Sequence, residues 1–306
     1  MFMPRLDKQY LLGVKINTCF KNFNDLLGHI ENNLLANKAA NNIISTTNVE
    51  FIMDAQDDLE FQNLINSASL SIPDGYGVLY GLFYLQILDK IHQKDLPKAV
   101  FILVSFLAGI FLPILYRMQK TPNESLTGIS LVEHLVALSH LKGYTLCLLG
   151  GWPKDIFGKR VQTDIDVATI ATQNLLKKYP KARIIASTSQ FSHKEYDDTA
   201  TLSFIHNCML KSKISHIDFV LVGYGHKNQE KWLIRNMAYI PASVGIGVGG
   251  SFDVYAKLLP KVPLTLRKLH LEWFFRLLVQ PWRVKRILKA FPYYPMYLFH
   301  KYVLQK

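Results

Sequence analysis

An aspartate at the end of an apolar segment is the first residue in this sequence that could do chemistry. In SIPDGYGVLYG, residues 71–81, Asp74 follows a proline and precedes Gly75 and Gly77. Glycine lets other groups approach the backbone closely. A carboxylate on such a turn is therefore either a simple turn residue or a working acid or base. The turn alone does not decide between these two interpretations.

Glycines end three later apolar segments, where a phosphate could approach the backbone. LLGGWPKD contains Gly150 and Gly151, GYGHKNQE contains Gly225, and GVGGSFDVY contains Gly249 and Gly250. We expect the first of these turns to lead into a helix, whose amides could hold a phosphate; glycines that serve turn geometry only are the commoner case in α/β folds. None matches the dinucleotide fingerprint or the P-loop, which argues against a dehydrogenase.

Polar side chains near these turns have competing interpretations. In GHKNQE, Gln229 could donate and accept hydrogen bonds at a sugar or base, with Glu230 beside it; the alternative is an ordinary first turn of a helix. In TDIDV, Asp164 and Asp166 superficially form a metal-binding pair. We predict that both lie inside a helix over residues 155–179, where residues two apart do not face each other. A solvated helix face is the better interpretation of this pair.

Three arginines near the C-terminus have a spacing that suits an anion. In LEWFFRLLVQPWRVKR, Arg276, Arg283 and Arg286 are separated by seven and three residues. On a continuous helix this spacing places them within about one quadrant, although Pro281 is a possible kink. Guanidinium groups gathered in this way suit a diphosphate. A basic helix that contacts lipid headgroups is a compatible alternative.

The charge of the chain is concentrated in the same segment. The net charge is +12, and residues 254–306 hold eleven Lys or Arg, eleven aromatics and one acid, Glu272. Such a segment suits an anionic partner: nucleic acid, acidic lipid headgroups or a phosphorylated ligand. Hydrophobic residues make up 49% of the chain, which excludes a disordered protein.

The cysteines and the N-terminus carry little chemical signal. The three cysteines are scattered without a CxxC pair, and the histidines are also dispersed. We therefore expect no zinc site and a reducing compartment. The first ten residues lack the apolar core of a signal peptide, so we expect none.

Apolar segments alternate with amphipathic ones along most of the chain. This alternation predicts an α/β fold with a mostly parallel sheet. Ligands in such folds bind at the carboxyl ends of the strands, so Asp74 and the glycine turns could share one crevice. The predicted strands cover residues 10–20, 41–48, 69–75, 143–151, 181–187, 216–225 and 242–250, and the predicted helices cover 23–40, 50–68, 155–179 and 228–238.

One segment does not fit this scheme. KAVFILVSFLAGIFLPILYRMQK is uncharged from Ala99 to Tyr116, which reaches the length of a membrane-spanning helix, about 18 residues. A single span would separate Asp74 from the later glycine turns, and basic residues such as Lys98 and Arg117 flank both ends. We therefore expect an insertion that dips into the membrane; a buried core helix is the alternative.

Taken in order, the motifs resemble the WecG/TagA/CpsF family of bacterial glycosyltransferases. The family pattern is T-x-N, an Asp-Gly turn, T-G-I-D, a strand ending in Gly-Gly, G-x-P-K-Q-E, and L-E-W-x-x-R-L followed by P-x-R-x-x-R. It appears here as TTN (46–48), DGYG (74–77), TGIS (127–130), LLGG, GHKNQE and LEWFFRLLVQPWRVKR. The resemblance covers most of residues 10–290 apart from the apolar insertion.

The resemblance implies a fold, a reaction and a location. It implies a Rossmann-like domain over 1–255, with the apolar insertion at about 83–124, and a membrane-contacting appendage over 256–306. Family members transfer N-acetylmannosamine or another sugar from a UDP-sugar to polyprenyl-diphosphate-linked GlcNAc, with inversion and without a metal. It follows that we expect no cofactor, no nucleic-acid partner and a place at the cytoplasmic face of the membrane. The oligomeric state is left open, with a homo-oligomer as one option.

The resemblance also implies roles for individual residues. Asp74 corresponds to the catalytic base and Thr46 to a polar partner beside it. Because an inverting transfer needs a base for the acceptor hydroxyl and positive charge at the departing diphosphate, these residue types suit the reaction. The implied substrate-binding residues are Asn48, Gly75, Gly150, Gly151, Gly225, Gln229, Glu230, Gly249, Gly250, Arg276, Arg283 and Arg286.

Several positions depart from the family pattern. Ser130 replaces the acid of T-G-I-D, and Ser125 lies near the place of an arginine. Lys227 and Asn228 replace Pro-Lys, and Lys261 stands where an arginine is usual. These departures leave open a relative that uses another UDP-sugar for capsule or exopolysaccharide. A non-catalytic, membrane-bound protein that binds nucleotide sugars is a further alternative.

Overall fold

A computed structural model describes residues 8–36, 41–119, 125–155, 157–161 and 164–305. These residues form a parallel α/β sandwich, as predicted, preceded by a small hairpin and followed by a helical C-terminal segment. We refer to residues 256–306 as the appendage.

The chain begins with an antiparallel hairpin and not with the single strand predicted over residues 10–20. Strand β1 covers Lys8–Leu11 and β2 covers Val14–Asn17. Leu12 and Gly13 reverse the chain with φ angles of 52° and 80°. Because both flanking segments are apolar, the pattern concealed this two-residue turn.

Six parallel strands form the central sheet in the order β4-β3-β8-β7-β5-β6. Because every strand runs in the same direction, all their carboxyl ends meet at one edge of the sheet, which we call the carboxyl edge. The strands are β3 Asn42–Thr47, β4 Leu70–Pro73, β5 Thr145–Gly150, β6 Arg183–Thr188, β7 Ile217–Gly223 and β8 Ala242–Gly247.

Helices cover both faces of the sheet and make up the appendage. Before β5, α1 covers Phe23–His29, α2 Val49–Asp57, α3 Leu59–Ser67, α4 Tyr76–His92, α5 Lys98–Ile110, α6 Leu112–Arg117 and α7 Gly128–Lys142. After β5, α8 covers Val167–Lys178, α9 Asp198–Lys211, α10 Asn228–Asn236 and α11 Ser251–Tyr255. In the appendage, α12 covers Leu264–Lys268, α13 Glu272–Val279, α14 Val284–Leu288 and α15 Tyr294–Phe299.

Strand β7 shows how the sheet divides the core into two layers. Phe219 and Leu221 belong to the apolar cluster that includes α7, whereas Val220 and Val222 belong to the cluster on the opposite face with Trp232 of α10. Alternate side chains of a strand point to opposite faces, and all five residues are fully buried. This continuous apolar strand is what a sheet covered on both sides requires.

A third apolar cluster joins the appendage to the rest of the chain. Leu11 and Ile16 of the hairpin pack in it with Tyr294 and Leu298 of α15. The Tyr294 hydroxyl lies 2.0 Å from the point where a Cβ on Gly81 would stand. A larger residue than glycine at position 81 of α4 would therefore force α15 away.

Two predicted helices differ from the observed ones. The helix predicted over 50–68 is interrupted at Asp58, whose Oδ1 accepts from Phe61 N at 3.0 Å and caps α3. The helix predicted over 155–179 begins only at residue 167. Asp166 caps it by accepting from Thr169 N at 3.0 Å, and Asp164 precedes it, so this pair was wrongly placed on a helix face. Aspartate favours such caps because its carboxylate satisfies amides that have no helical partner.

The apolar segment after α4 folds as two short helices. α5 ends at Ile110 and α6 begins at Leu112, with Phe111 between them and Pro113 in the first turn of α6. Proline cannot continue an α-helix because it lacks an amide hydrogen. Within the part of the chain that the structure describes, none of the helices has the length and apolarity needed to cross a bilayer.

Candidate active site

Asp74 lies at the carboxyl edge of the sheet, directly after β4. Its amide donates to the carbonyl of Thr47 at 2.8 Å, and the amide of Gly75 donates to Ser125 Oγ at 2.8 Å. Gly75 has a φ angle of 95°, which favours glycine, and a Cβ there would meet no atom within 4 Å. The glycine therefore serves backbone conformation and leaves open space beside the carboxylate.

Burial makes the Asp74 carboxyl an unusually weak acid. Removal from water raises the pKa of Asp74 to about 7. The positive charges of Arg276, Arg286 and Arg283 lower this pKa, and the negative charge of Glu272 raises it. A buried carboxylate loses hydration, and nearby cations return part of that free energy. An acid with a pKa near neutral pH can both take up and release a proton at that pH.

The three arginines all act electrostatically on Asp74 although they do not share one helix. Arg276 lies in α13, Arg283 ends a 3₁₀ turn that begins at Pro281, and Arg286 lies in α14. The continuous helix that we considered is therefore wrong, because the chain breaks at Gln280 before the proline. All three guanidinium groups nevertheless influence the pKa of Asp74, so the predicted cluster is present at the carboxyl edge.

The guanidinium group of Arg283 is largely enclosed by protein. Burial, together with the positive charges of Arg286 and Arg276, lowers the pKa of Arg283 to about 9. Its Nε is buried and has no hydrogen-bond partner among the described residues. A donor in this state, beside two like charges, is in an environment that an anion would stabilise.

Ion pairs hold the appendage against the sheet domain. Arg286 pairs with Glu50 of α2, and Lys289 pairs with Asp54 one turn later. Asp54 also accepts from Nε2 of His226. Burial lowers the pKa of His226 to about 4, so its ring is neutral at pH 7. Arg286 and the segment that follows it are therefore held against α2.

Thr46 is part of a buried network under the turn after β8. Its hydroxyl donates to the carbonyl of Gly247 at 2.8 Å. Gln229 Nε2 donates to Glu230 Oε1 at 2.6 Å, and Gln229 Oε1 accepts from Gly249 N at 2.8 Å. Gln229 and Glu230 are 2% and 1% exposed. In this structure Thr46 and Gln229 thus hold the glycine turn after β8 at the carboxyl edge.

Glu230 is a neutral acid in this network. Burial raises its pKa to about 8, so its carboxyl is mainly protonated at pH 7. Its Oε2 has no hydrogen-bond partner within the described part of the chain. We infer that Glu230 supports Gln229, because Oε1 accepts from the Gln229 amide and fixes its orientation.

Replacing Gly247 with alanine should destabilise the protein. A Cβ there would lie 2.5 Å from Gln229 Nε2 and 2.6 Å from Glu230 Oε1, and these buried polar groups cannot move without losing their partners. We expect the free energy of unfolding to fall by about 1–3 kcal/mol, measured by urea denaturation. Gly28→Ala in α1, where a Cβ meets no atom within 4 Å, is the matched control and should not destabilise. Equal midpoints for the two variants would contradict this account.

Asn48 begins α2 at the same edge. Its Oδ1 accepts from Glu50 N at 2.9 Å and Phe51 N at 3.2 Å. This is an N-cap, which satisfies two amides of the first helical turn. The cap occupies the side-chain oxygen of Asn48 and places Glu50 where it pairs with the appendage.

The Gly150–Gly151 turn has a structural role that differs from the one expected. Among the residues that the structure describes, the next helix begins at Val167, so none starts directly after the glycines. The Gly151 amide already donates to the carbonyl of Gly223 at 3.0 Å. A Cβ on Gly150 would lie 2.7 Å from the Tyr224 ring. The predicted helix directly after the glycines is therefore wrong, and these glycines permit close packing of β5 on β7. Their role in substrate binding stays a prediction.

The other predicted glycines line more open turns. Gly225 and Gly249 have φ angles of 84° and 55°, and a Cβ on either would meet nothing within 4 Å. Gly250 immediately precedes α11. Both turns follow strands β7 and β8, whose carboxyl ends neighbour β3 and β5. The structure thus brings these glycines to the same edge as Asp74.

Two acids in the site were missed as candidates by sequence reasoning. Asp253 is 4% exposed, its pKa is raised mainly by burial, and it lies near Lys154 and Arg283. The negative charge of Glu272 raises the pKa of Asp74, and its Oε1 pairs with Arg267 Nε at 3.1 Å. Asp253 follows a strand and a glycine turn, which is the same signal that marked Asp74. That signal could have identified it.

A cleft adjoins this edge beyond β5 and β6. It has a volume of about 630 Å³ and is lined by Trp152, Arg160, Asp166, Ser189 and other residues. The Trp152 ring lies under the Arg160 guanidinium at 4.0 Å. Within the described ranges, no group of three or more His, Cys, Asp or Glu side chains is arranged to hold a metal ion.

Comparison with known proteins places this chain among the glycosyltransferases. The chain belongs to the glycosyl transferase WecG/TagA/CpsF family, whose model matches residues 9–101 and 103–306. It is 25% identical over 270 residues to the N-acetylglucosaminyldiphosphoundecaprenol N-acetyl-beta-D-mannosaminyltransferase of Staphylococcus aureus (strain NCTC 8325 / PS 47), covering 87% of this chain and 84% of that protein. The protein of the same name from Bacillus subtilis (strain 168) is 25% identical over 246 residues, 80% of this chain and 75% of the relative. The predicted family is confirmed.

Proposed function

We propose that this protein transfers N-acetylmannosamine from a UDP-sugar to GlcNAc carried on polyprenyl diphosphate, with inversion at the anomeric carbon and without a metal. The relatives' names describe a mannosaminyltransferase that uses N-acetylglucosaminyldiphosphoundecaprenol. The observation that carries the proposal is a carboxyl with a pKa of about 7 at the carboxyl edge, Asp74, beside three arginines. The product would serve the synthesis of a cell-envelope polymer.

In the proposed reaction Asp74 is the base. Its carboxylate takes the proton of the acceptor GlcNAc hydroxyl while that oxygen attacks the anomeric carbon of the donor from the face opposite UDP. The new glycosidic bond forms as the bond from the anomeric carbon to the diphosphate oxygen breaks. The bonding electrons leave with UDP, and the proton remains on Asp74 until solvent removes it.

The arginines stabilise the departing UDP. Negative charge grows on the diphosphate as the bond breaks, and preorganised cations at that point lower the barrier. Arg276, Arg283 and Arg286 supply the charge from the appendage, and the ion pairs of Glu50 and Asp54 hold the appendage in place. Gly225 and Gly249 leave room for the nucleotide sugar to approach the backbone.

In this proposal the two parts of the chain have different roles, and the enzyme works at a membrane surface. Residues 1–255 bind the donor sugar, and residues 256–306 complete the site and contact the membrane that carries the acceptor. The appendage's eleven basic residues against one acid suit a surface rich in anionic lipids. Because UDP-sugars are cytoplasmic compounds, the enzyme would work on the cytoplasmic face.

A panel of donors tests this function. The protein is incubated with individual UDP-sugars and a prenyl-diphosphate-GlcNAc analogue, and products are identified by mass. We expect a product one N-acetylhexosamine heavier with UDP-N-acetylmannosamine, formed equally in the presence of a chelator. Loss of transfer on chelation would contradict metal independence. Binding of UDP-sugars without transfer would favour a non-catalytic binding protein.

A second candidate is a transferase that uses a different UDP-sugar, for example in capsule or exopolysaccharide synthesis. The observation that favours it is Ser130, where the family pattern has an acid. Ser130 Oγ accepts from Arg267 Nη2 at 3.1 Å, and Arg267 in turn pairs with Glu272, which acts on Asp74. A changed residue that is linked to the base through Arg267 and Glu272 is well placed to alter donor choice. Transfer of another sugar in preference to N-acetylmannosamine would support this candidate.

A further inference from the structure

We propose that α5 and α6 form a monotopic docking surface that rests on an anionic lipid bilayer. The inference deepens the proposed function. It rests on that function in one respect: a transferase with a lipid-linked acceptor gains from binding the membrane. We call the surface the outward apolar face. It consists of the exposed side chains of Val100, Leu103, Phe106, Leu107, Ile110, Phe111, Ile114 and Met118.

The outward apolar face forms one stripe along α5. Leu103, Leu107 and Ile110 recur at intervals of four and three residues, which places them on one side of a helix. Leu103, Phe106 and Ile110 are 57%, 50% and 55% exposed. A contiguous exposed apolar surface of this kind marks an interaction site.

The polarity of α5 is the reverse of that of an ordinary surface helix. Its one hydroxyl-bearing side chain, Ser105, is completely buried. The Tyr84 hydroxyl donates to the Ser105 carbonyl at 3.1 Å, and a Cβ on Gly109 would lie 3.7 Å from the Tyr84 ring. A helix beside water normally turns its polar side outwards. The outward side of α5 is instead the side suited to hydrocarbon.

The charges around this face favour lipid over a second copy of the chain. Residues 93–119 contain Lys94, Lys98 and Arg117 but only one acid, Asp95. In a symmetric dimer through this face, the basic borders of the two copies would meet and repel each other. Anionic headgroups provide the complementary charge, and apolar residues bordered by cations are typical of interfacial helices.

The dimensions of α5 favour a helix that lies in the interface. Its 13 residues extend about 20 Å, which is short of the roughly 30 Å hydrocarbon core. Basic residues stand at both ends of the α5–α6 segment, so both ends remain at the headgroups. The apolar side chains would therefore enter the outer part of the acyl layer without crossing it.

Helix α4 connects the docking surface to the candidate base. It begins immediately after Gly75, beside Asp74, and α5 and α6 pack against it. At the end of α6, Arg117 donates to the carbonyl of Leu269 in the appendage. The Tyr80 hydroxyl of α4 lies 2.6 Å from Nδ1 of His270. A bilayer held at α5 would thus be held at a defined place relative to Asp74.

Vesicle flotation of the full-length protein tests the proposal. We expect the protein to float with vesicles of phosphatidylcholine and phosphatidylglycerol, and more weakly with phosphatidylcholine alone. Leu103→Gln with Phe106→Gln should reduce the bound fraction about tenfold or more, because two apolar side chains no longer enter the acyl layer. Lys94→Gln with Lys98→Gln should weaken binding only to the anionic vesicles.

Leucines elsewhere on the surface provide matched controls. Leu141 and Leu210 are 78% and 75% exposed on α7 and α9, and Leu141→Gln with Leu210→Gln should leave flotation unchanged. Because all these side chains are exposed, the unfolding temperature should stay within about 2 °C of the wild type. Undiminished flotation of the Leu103→Gln, Phe106→Gln protein would overturn the proposal. So would a dimer, measured by light scattering, that these substitutions convert to monomers without affecting flotation.

Transfer assays separate failure of the docking surface from failure of the proposed function. With a detergent-dispersed acceptor analogue, the Leu103→Gln, Phe106→Gln protein should transfer sugar at the wild-type rate. With the same analogue in vesicles, its rate should fall in parallel with flotation. If the variant loses flotation and neither the wild type nor the variant transfers sugar in either assay, the docking surface is supported and the transferase function is contradicted.

Discussion

Asp74→Asn should lower the turnover of sugar transfer by about 10²- to 10⁴-fold. Asparagine keeps the size and polarity of the side chain but cannot take the proton of the acceptor hydroxyl. Binding of the UDP-sugar, measured by calorimetry, should survive because the base acts during transfer. Turnover is measured under saturating donor and acceptor. An unchanged rate would remove Asp74 from the mechanism.

Asp89→Asn is the matched control for this substitution. Asp89 is an exposed residue near the far end of α4, the helix that begins after Asp74, and its loss should leave turnover unchanged. A loss of activity in both variants would indicate that α4 and the turn before it tolerate no change of charge. The Asp74→Asn result would then no longer identify Asp74 as the base.

The pKa of Asp74 makes a further test possible on the wild-type protein. Since this pKa is raised to about 7, the base is protonated and inactive below that pH. The value of kcat/KM should rise about tenfold per pH unit below pH 7 and level off above it. A profile that is flat down to pH 5 would show that the working base has an ordinary carboxylate pKa.

The raised pKa also predicts the effect of Asp74 on stability. The folded state binds this proton more tightly than the unfolded state, whose aspartate titrates near pH 4. The contribution of Asp74 to stability is therefore present below pH 4 and lost as the pH rises through about 7. Asp74→Asn should consequently be at least as stable as the wild type at pH 8, so a fall in activity there would not reflect unfolding.

Arg283→Ala should lower turnover by about 10²- to 10³-fold. The guanidinium group of Arg283 is largely enclosed, and its pKa is lowered to about 9 by burial and by Arg286 and Arg276. It is thus still charged at pH 7, in an environment that disfavours its charge until an anion arrives. We expect the departing diphosphate to be that anion, so the loss should be larger in kcat than in donor binding. Single-turnover kinetics and UDP calorimetry separate the two effects.

Lys285→Ala is the control for Arg283→Ala. Lys285 is an exposed residue of α14 between Arg283 and Arg286, and its removal should leave transfer to a detergent-dispersed acceptor unchanged. Arg283→Lys should recover part of the activity, because a lysine keeps the charge but not the forked hydrogen bonds. A wild-type rate for Arg283→Ala would limit this arginine to packing or lipid contact.

Much of the sheet could be predicted from sequence, because a parallel strand that is buried on both faces is a short, nearly continuous run of apolar residues. The segments that became β5, β7 and β8 are apolar and end at glycine turns, and each of them, like β3, lies within a predicted strand. The errors arose where local signals were equivocal. Gly13 interrupts an apolar segment that looked like one strand, and Asp166 caps a helix that we expected to contain it.

The sequence alone determined the family, the parallel sheet, and the placing of Asp74 on a glycine turn after a strand, since these depend on neighbours a few residues apart. Only the tertiary structure decided which charges meet. Arg276, Arg283 and Arg286 come from broken helices some 200 residues after Asp74, and the pKa of the carboxyl depends on the water that this folding removes. The outward direction of the apolar side of α5 was likewise decided by packing on α4. Helical spacing defines a face, but long-range contacts determine whether that face meets the core or the surroundings.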